Sequence, residues 1–174
     1  MKLTALKSKI RNIPDWPSKG IVFRDITPLI KDQKMFKWVI DRMAKPFLNK
    51  DIDTVVGIDA RGFIFASALA YKLEAGLVMI RKKGKLPYKT INQKYKLEYA
   101  SNTLEIHEDS IHKSEKVLLV DDLLATGGSM RATIDLVEKL GGCIRGIVFL
   151  IELKNLNSRK KLKKYPIYSL VKYS

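Results

Sequence analysis

Apolar positions along the chain fall into blocks whose spacing alternates between helical and extended. Residues 3–11 predict a short first helix, followed by a turn-rich link, NIPDWPSKG. From 32 to 48, Met35, Phe36, Val39, Ile40, Met43 and Phe47 recur at intervals of about three to four residues, as one face of a helix does. DTVVGID then predicts a strand, FIFASALAYKLE a helix and LVMIRK a strand. Residues 82–103 form a long, polar segment with little periodicity and predict a loop. KVLLVDD predicts the next strand, with two acids at its end. SMRATIDLVEKL predicts a helix with Met130, Ile134, Val137 and Leu140 on one side, closed by Gly141-Gly142. CIRGIVFLIEL and IYSLVKY predict two further strands. Strands alternating with helices imply an α/β fold: a mainly parallel central sheet flanked by helices. No internal repeat or low-complexity linker divides the chain, so residues 1–174 are expected to form a single domain.

In such sheets ligands bind beyond the carboxyl ends of the strands, where loops turn into helices. Three junctions qualify: Asp59 to Phe63, the loop after Arg81, and Asp121 to Ser129. The third reads VLLVDDLLATGGSM. Its glycines let backbone N–H groups converge on an anion, and the following helix adds further free N–H groups and the positive end of its dipole. Thr126 and Ser129 add hydroxyls. The loop has no lysine, as a Walker loop requires, and no G-x-G-x-x-G spacing. Two carboxylates beside an anion loop suit a ribose 5-phosphate, because vicinal hydroxyls donate to carboxylates. Strand capping, or metal binding in a response-regulator-like fold, is the plainer alternative for the acid pair.

Composition narrows the class. Hydrophobic residues at 46% and charged residues at 29% describe a water-soluble globular chain. No apolar run approaches the roughly 20 residues that cross a bilayer, and the N-terminus lacks a secretory pattern. A single cysteine, Cys143, forms no internal disulfide and fits a reducing compartment, so a cytoplasmic location is expected. The net charge of +15 raises the question of nucleic acid. The cations are spread along the chain. Two stretches are one-sided, each with seven Lys or Arg and no acid: between Glu74 and Glu98, and after Glu152. The tail stretch, SRKKLKKYP, reads as a solvated helix face. The middle stretch, rich in Gly, Pro and Lys, has the character of a site loop.

VLLVDDLLATGGSM resembles the phosphoribosyl-pyrophosphate signature of the type I phosphoribosyltransferases. PDWPSKGIVFRDITPLI, GIDARGFIFASALA, IRKKGKLPY, YKLEYASNTLEI and IELKNLNSRKKL, in that order, narrow the resemblance to the adenine-using family and extend it over almost the whole chain. The resemblance implies a type I phosphoribosyltransferase fold with a short N-terminal hood over residues 1–30 and a flexible catalytic loop over 82–103. It implies a homodimer using Mg2+ with 5-phosphoribosyl 1-pyrophosphate (PRPP) and adenine. It further implies that Ala125, Thr126, Gly127, Gly128 and Ser129 hold the 5-phosphate and that Asp121 and Asp122 face the ribose hydroxyls, directly or through magnesium and water. Arg61, Lys82 and Lys85, and more weakly Arg81, would meet the pyrophosphate. Val22, Phe23 and Arg24 would meet the purine. Glu98 would assist proton movement on the base, with Tyr95 and Tyr99 packing the lid. Two positions depart from the common pattern: Ser129 stands where threonine is frequent, and Ala60 where serine is frequent.

Plainer readings stand beside several of these: an Arg24–Asp25 ion pair on an edge strand, solvated loop lysines, and Glu98 paired with Lys94 or Lys96. His107 and His112 read as solvated, Cys143 as a small core residue, and Trp16 and Trp38 as packing. Two rivals to the whole reading are an enzyme using a 6-oxopurine and a nucleic-acid-binding PRPP sensor. The second is disfavoured because the chain has no room for an added helix-turn-helix segment.

Overall fold

The alternation of periodicities resolves into helices and strands, with three departures. A computed structural model describes residues 3–96 and 101–174, which divide into two compact units, 1–42 and 43–174.

The first unit holds α1 (Leu3–Ser8), β1 (Arg11–Pro14), β2 (Val22–Asp25), α2 (Thr27–Lys31) and most of α3 (Gln33–Ala44). The first departure is here. α1 stops at Ser8, and the expected link instead supplies β1, paired antiparallel with β2 in the register Asn12↔Arg24, Ile13↔Phe23. Four residues alternate too briefly to register as a strand, and Pro14 argues against one, yet a two-stranded ribbon tolerates a residue with no N–H to donate. The short helix α2 belongs to the same departure. Asp25, just ahead of its N-cap Ile26, steadies the first turn by accepting from Thr27 N–H at 2.9 Å and Thr27 Oγ1 at 2.6 Å. Asp32 does the same for α3, accepting from Met35 N–H at 3.0 Å, and Met35, Val39, Ile40 and Met43 form that helix's buried stripe as expected.

The second unit continues with a 3-10 turn (Lys45–Phe47), β3 (Thr54–Ile58), α4 (Gly62–Leu73), β4 (Gly76–Lys82), β5 (Thr90–Lys96), β6 (Ser101–His107), β7 (Lys116–Leu124), α5 (Gly128–Lys139), β8 (Cys143–Leu153), 3-10 turns at Lys154–Leu156 and Ser158–Leu162, and β9 (Ile167–Tyr173). One sheet runs β5-β6-β4-β3-β7-β8-β9. Its five strands from β4 to β9 are parallel, while β5 and β6 form an antiparallel hairpin on β4. β3 is buried along its whole length, and β8 from Gly146 to Glu152, as continuous apolar runs in a sheet covered on both faces require.

The second departure is that hairpin, which fills much of the expected loop. Its alternation is weak because Ile91 and Tyr95 are the large inward residues of β5, but both pack on the core beneath buried Leu104 and Ile106. The third is β7, which does not end at the acids: it continues through them to buried Leu124.

α4 lies on β3, β4 and β7, and α5 on β5 through β8. Gly57 lets α4 approach: a Cβ there would sit 2.6 Å from Ala66 Cβ. From β3 the chain steps to β4 on one side, and from β7 to β8 and β9 on the other. The order therefore reverses between β3 and β7, whose carboxyl ends flank the crevice where such sheets bind ligands.

Candidate active site

Within β7, Asp121 Oδ1 accepts the N–H of Asp122 at 2.9 Å. At the end of β3, Arg61 precedes α4 and brings Nη2 to 2.7 Å from Asp122 Oδ2. That contact is an ion pair by distance. Among the described residues no donor reaches Asp122 Oδ2 in hydrogen-bond geometry, so this enclosed carboxylate keeps accepting capacity. The two junctions touch closely: a Cβ on Gly62 would lie 2.9 Å from Asp121 Oδ1. Burial, then the Asp122 charge, push the Asp121 carboxyl well above the ordinary range. Burial also raises Asp122, with Arg61 opposing it. An arrangement that holds two reluctant anions together is complementary to hydroxyl donors or a cation.

Residues 125–127 link β7 to α5, whose first residues are Gly128 and Ser129. Gly127 takes φ +79°, which glycine accepts without strain, and a Cβ there would come within 3.3 Å of Ser158 Cβ. The N–H groups of Thr126, Gly127, Gly128 and Ser129 have no hydrogen-bond partner among the described residues. A cavity of about 140 Å³ opens beside them, walled by Thr126, Gly127, Ser129, Leu123, Phe149 and Tyr95. Tyr95 thus joins β5 to this site. Burial raises its hydroxyl pKa and the nearby Asp121 charge adds to this, while the Asn102 side chain opposes it.

Two groups from the 3-10 turn Ser158–Leu162 reach the loop from 33 and 35 residues away: Ser158 Oγ donates to Ala125 O, and Lys161 Nζ donates to Thr126 O at 3.0 Å. Sequence reading missed both, because nothing local in a run of lysines distinguishes one that turns back. The expected solvated helix face is accordingly more engaged than that. Arg159 forks onto Glu152 through Nε at 2.6 Å and Nη2 at 2.8 Å, and that pairing holds the Glu152 carboxyl down to about 2.

The basic loop after β4 is held by its backbone. Glu105 Oε1 accepts the N–H groups of Lys85 and Leu86, each at 2.9 Å, and Arg81 bridges Asp59 (3.4 Å) and Lys85 O (3.2 Å). Arg81 is therefore engaged in structure. Lys82 and Lys85 are exposed and pair with no carboxylate among the described residues.

Val22, Phe23 and Arg24 are on β2 in the first unit. Phe23 meets Trp16 edge-to-face at 4.4 Å, and Trp16 is itself half exposed. Arg24 Nη1 donates to Asn12 Oδ1, and Arg11 pairs with Asp25 at 3.6 Å. Glu98 and Tyr99 lie outside the described residues. His107 is not simply solvated, since its Nε2 is enclosed without a partner among the described residues. Cys143 is half-buried where β8 begins.

The phosphoribosyl transferase domain family model matches residues 29–174. An adenine phosphoribosyltransferase of Brachyspira hyodysenteriae is 56% identical over 168 residues, 97% of this chain and 99% of that one. The crystal structure of adenine phosphoribosyltransferase from Thermoanaerobacter pseudethanolicus superposes with a TM-score of 0.96 at 48% identity, covering 99% of this chain and 100% of that one. The Saccharomyces cerevisiae enzyme, complexed with an imino-altritol bisphosphate and adenine, superposes with a TM-score of 0.90 at 37% identity, covering 96% and 97%. A loop of unpartnered N–H groups and an acid pair meet at the switch point of this sheet, in a chain similar to these relatives over its length: the chain belongs to the adenine phosphoribosyltransferase family, with the type I phosphoribosyltransferase fold.

Proposed function

We infer that the crevice between β3 and β7 transfers the 5-phosphoribosyl group of PRPP to adenine, giving AMP and pyrophosphate. The observation that carries the assignment of roles is the row of unpartnered N–H groups from Thr126 to Ser129 beside the Asp121–Asp122 pair. In this reading Ala125 to Ser129 hold the 5-phosphate, and the two carboxylates accept from the ribose hydroxyls. Arg61 faces the pyrophosphate, joined by the exposed Lys82 and Lys85. Val22, Phe23 and Arg24 meet adenine, and Glu98 manages the proton on the purine.

The bond from the anomeric carbon to the pyrophosphate oxygen breaks as the bond from adenine N9 forms, and the N9 proton leaves the base. Positive charge builds on the sugar and negative charge on the leaving group. The protein's contribution is therefore positioning and fixed charge. Closing the site with the β5–β6 hairpin, through Tyr95, excludes water that would otherwise capture the sugar.

Mg2+ fits this donor set as a shared ion. Three or more clustered ligands are absent among the described residues, but two adjacent carboxylates, both raised by burial and Asp121 also by the Asp122 charge, suit a hard cation that keeps most of its waters. Asp121 and Asp122 would hold it, directly or through water. When bound, it supplies charge neutralisation on the phosphate oxygens.

A homodimer is supported by exposed apolar surface: Leu77 and Met79 on one face of β4, with Tyr71 on α4. No helix among the described residues is long and apolar enough to cross a membrane, and the single cysteine favours the cytoplasm.

Incubation with PRPP, Mg2+ and each purine in turn tests the reading. AMP from adenine, with no nucleotide from hypoxanthine, guanine or xanthine, is expected. Nucleotide from a 6-oxopurine in preference to adenine would overturn the base assignment.

A further inference from the structure

The loop at 125–129 contains no cation, yet one arrives from elsewhere in the chain. Lys161 Nζ donates to Thr126 O at 3.0 Å, and Ser158 Oγ donates to Ala125 O. The third carbonyl, Gly127 O, accepts from Arg131 N–H at 2.9 Å as the first bond of α5.

In a trans peptide the C=O and N–H point in opposite directions. Anchoring the carbonyls of residues 125, 126 and 127 therefore turns the N–H groups of Thr126, Gly127 and Gly128 the other way. Those N–H groups are the ones left without partners among the described residues. Two of the three anchors come from a single turn, Ser158–Leu162, which is itself held by buried Leu162 and by the Arg159–Glu152 fork. The anchor on Thr126 O is distinct because it carries charge. A cation on a carbonyl polarises that peptide and makes its N–H, here that of Gly127, a stronger donor to an anion. It also leaves an ammonium with two further N–H bonds at the rim of the loop.

We propose that Lys161 is a positioning residue of the phosphate loop, orienting and polarising the Thr126–Gly127 peptide and placing positive charge beside the bound 5-phosphate. This rests on reading residues 125–129 as the site of that phosphate. Lys161 acts through the loop and takes no part in bond making. Its removal should therefore weaken every ligand that carries a 5-phosphate and leave adenine and the chemical step largely unaffected.

The test compares wild type with Lys161→Met, Lys161→Gln, Lys161→Arg and Lys163→Met. Lys163 is exposed on the same stretch, so the last variant removes equal charge at a different position. AMP and ribose 5-phosphate are titrated calorimetrically, and KM for PRPP, KM for adenine and kcat are measured at two salt concentrations. For Lys161→Met, the Kd for AMP and the KM for PRPP should rise about tenfold, as loss of a charge-assisted bond implies. Adenine KM, kcat and melting midpoint should stay near wild type. Lys161→Gln should fall between, because it keeps a donor without the charge, and Lys161→Arg should recover most of the affinity. Lys163→Met should match wild type. PRPP KM and AMP Kd for Lys161→Met within about twofold of wild type would overturn the proposal, as would a fall in kcat with PRPP KM unchanged. Wild type failing to bind AMP or ribose 5-phosphate would remove the phosphate-loop reading and this proposal together. Binding by wild type, with Lys161→Met equal to it, would remove Lys161 alone.

Discussion

Asp121 and Asp122 put like charges on consecutive residues of β7 where burial disfavours both. A carboxyl whose folded pKa lies above its unfolded value binds more protons folded than unfolded, so stability falls as pH rises through that interval. For Asp121 the window opens near 3.8 and extends to its raised folded value, above which the loss is complete. Without ligand, Asp121→Asn should therefore melt higher than wild type at neutral pH. Its stability should also vary less with pH above about 4, since an amide oxygen can still accept the Asp122 N–H. The same variant should bind PRPP more weakly. Thermal melts from pH 4 to 8 check the first part and calorimetry the second; an unliganded variant melting below wild type at neutral pH would contradict the electrostatic account. The acid pair and the glycine loop were legible in the sequence because the chemistry is local, contained in one short run. Ser158 and Lys161 were not. Their roles depend on a turn that brings residue 161 back to residue 126, and no local pattern encodes that return.

At the scale of elements, the site depends on how closely α4 can approach the sheet. Gly57 and Gly62 make that approach possible at two points. A Cβ on Gly57 would meet Ala66 Cβ at 2.6 Å, and one on Gly62 would meet Asp121 Oδ1 at 2.9 Å and Val120 O at 3.3 Å. Gly57→Ala should thus destabilise the fold by about 2 kcal/mol, because neither β3 nor α4 can give way without repacking the core. A denaturant midpoint indistinguishable from wild type would contradict that packing. Most elements followed from apolar periodicity, since α3, α4 and α5 each bury one stripe and β3 and most of β8 are continuous apolar runs. The two hairpins did not. β1–β2 has only four residues per strand and includes a proline. β5–β6 has polar outer faces and few large inward residues. Its pairing with β4 at Arg81↔Glu105 also rests on contacts that are distant in sequence.

Across the whole molecule, the reversal of strand order between β3 and β7 brings Arg61 and the acid pair together from positions 60 residues apart. Several cations are engaged locally: Arg159 on Glu152, Lys164 on Glu138 at 2.6 Å, Arg61 on Asp122, and Lys161 on the loop. Fold and family were readable because the motifs occur in order over the full length. The base-contacting role proposed for Val22, Phe23 and Arg24 and the proton role proposed for Glu98 rest on that resemblance, since neither carries a local physical signature. The claim on which the rest depends is that the N–H groups of residues 126–129 grip a sugar's 5-phosphate. A crystal structure of the protein with AMP tests it most directly. Phosphate oxygens should lie about 2.7–3.2 Å from the backbone nitrogens of Thr126, Gly127, Gly128 and Ser129, with ribose hydroxyls facing Asp121 and Asp122. AMP bound with its phosphate elsewhere, and those four N–H groups left unengaged, would contradict the account.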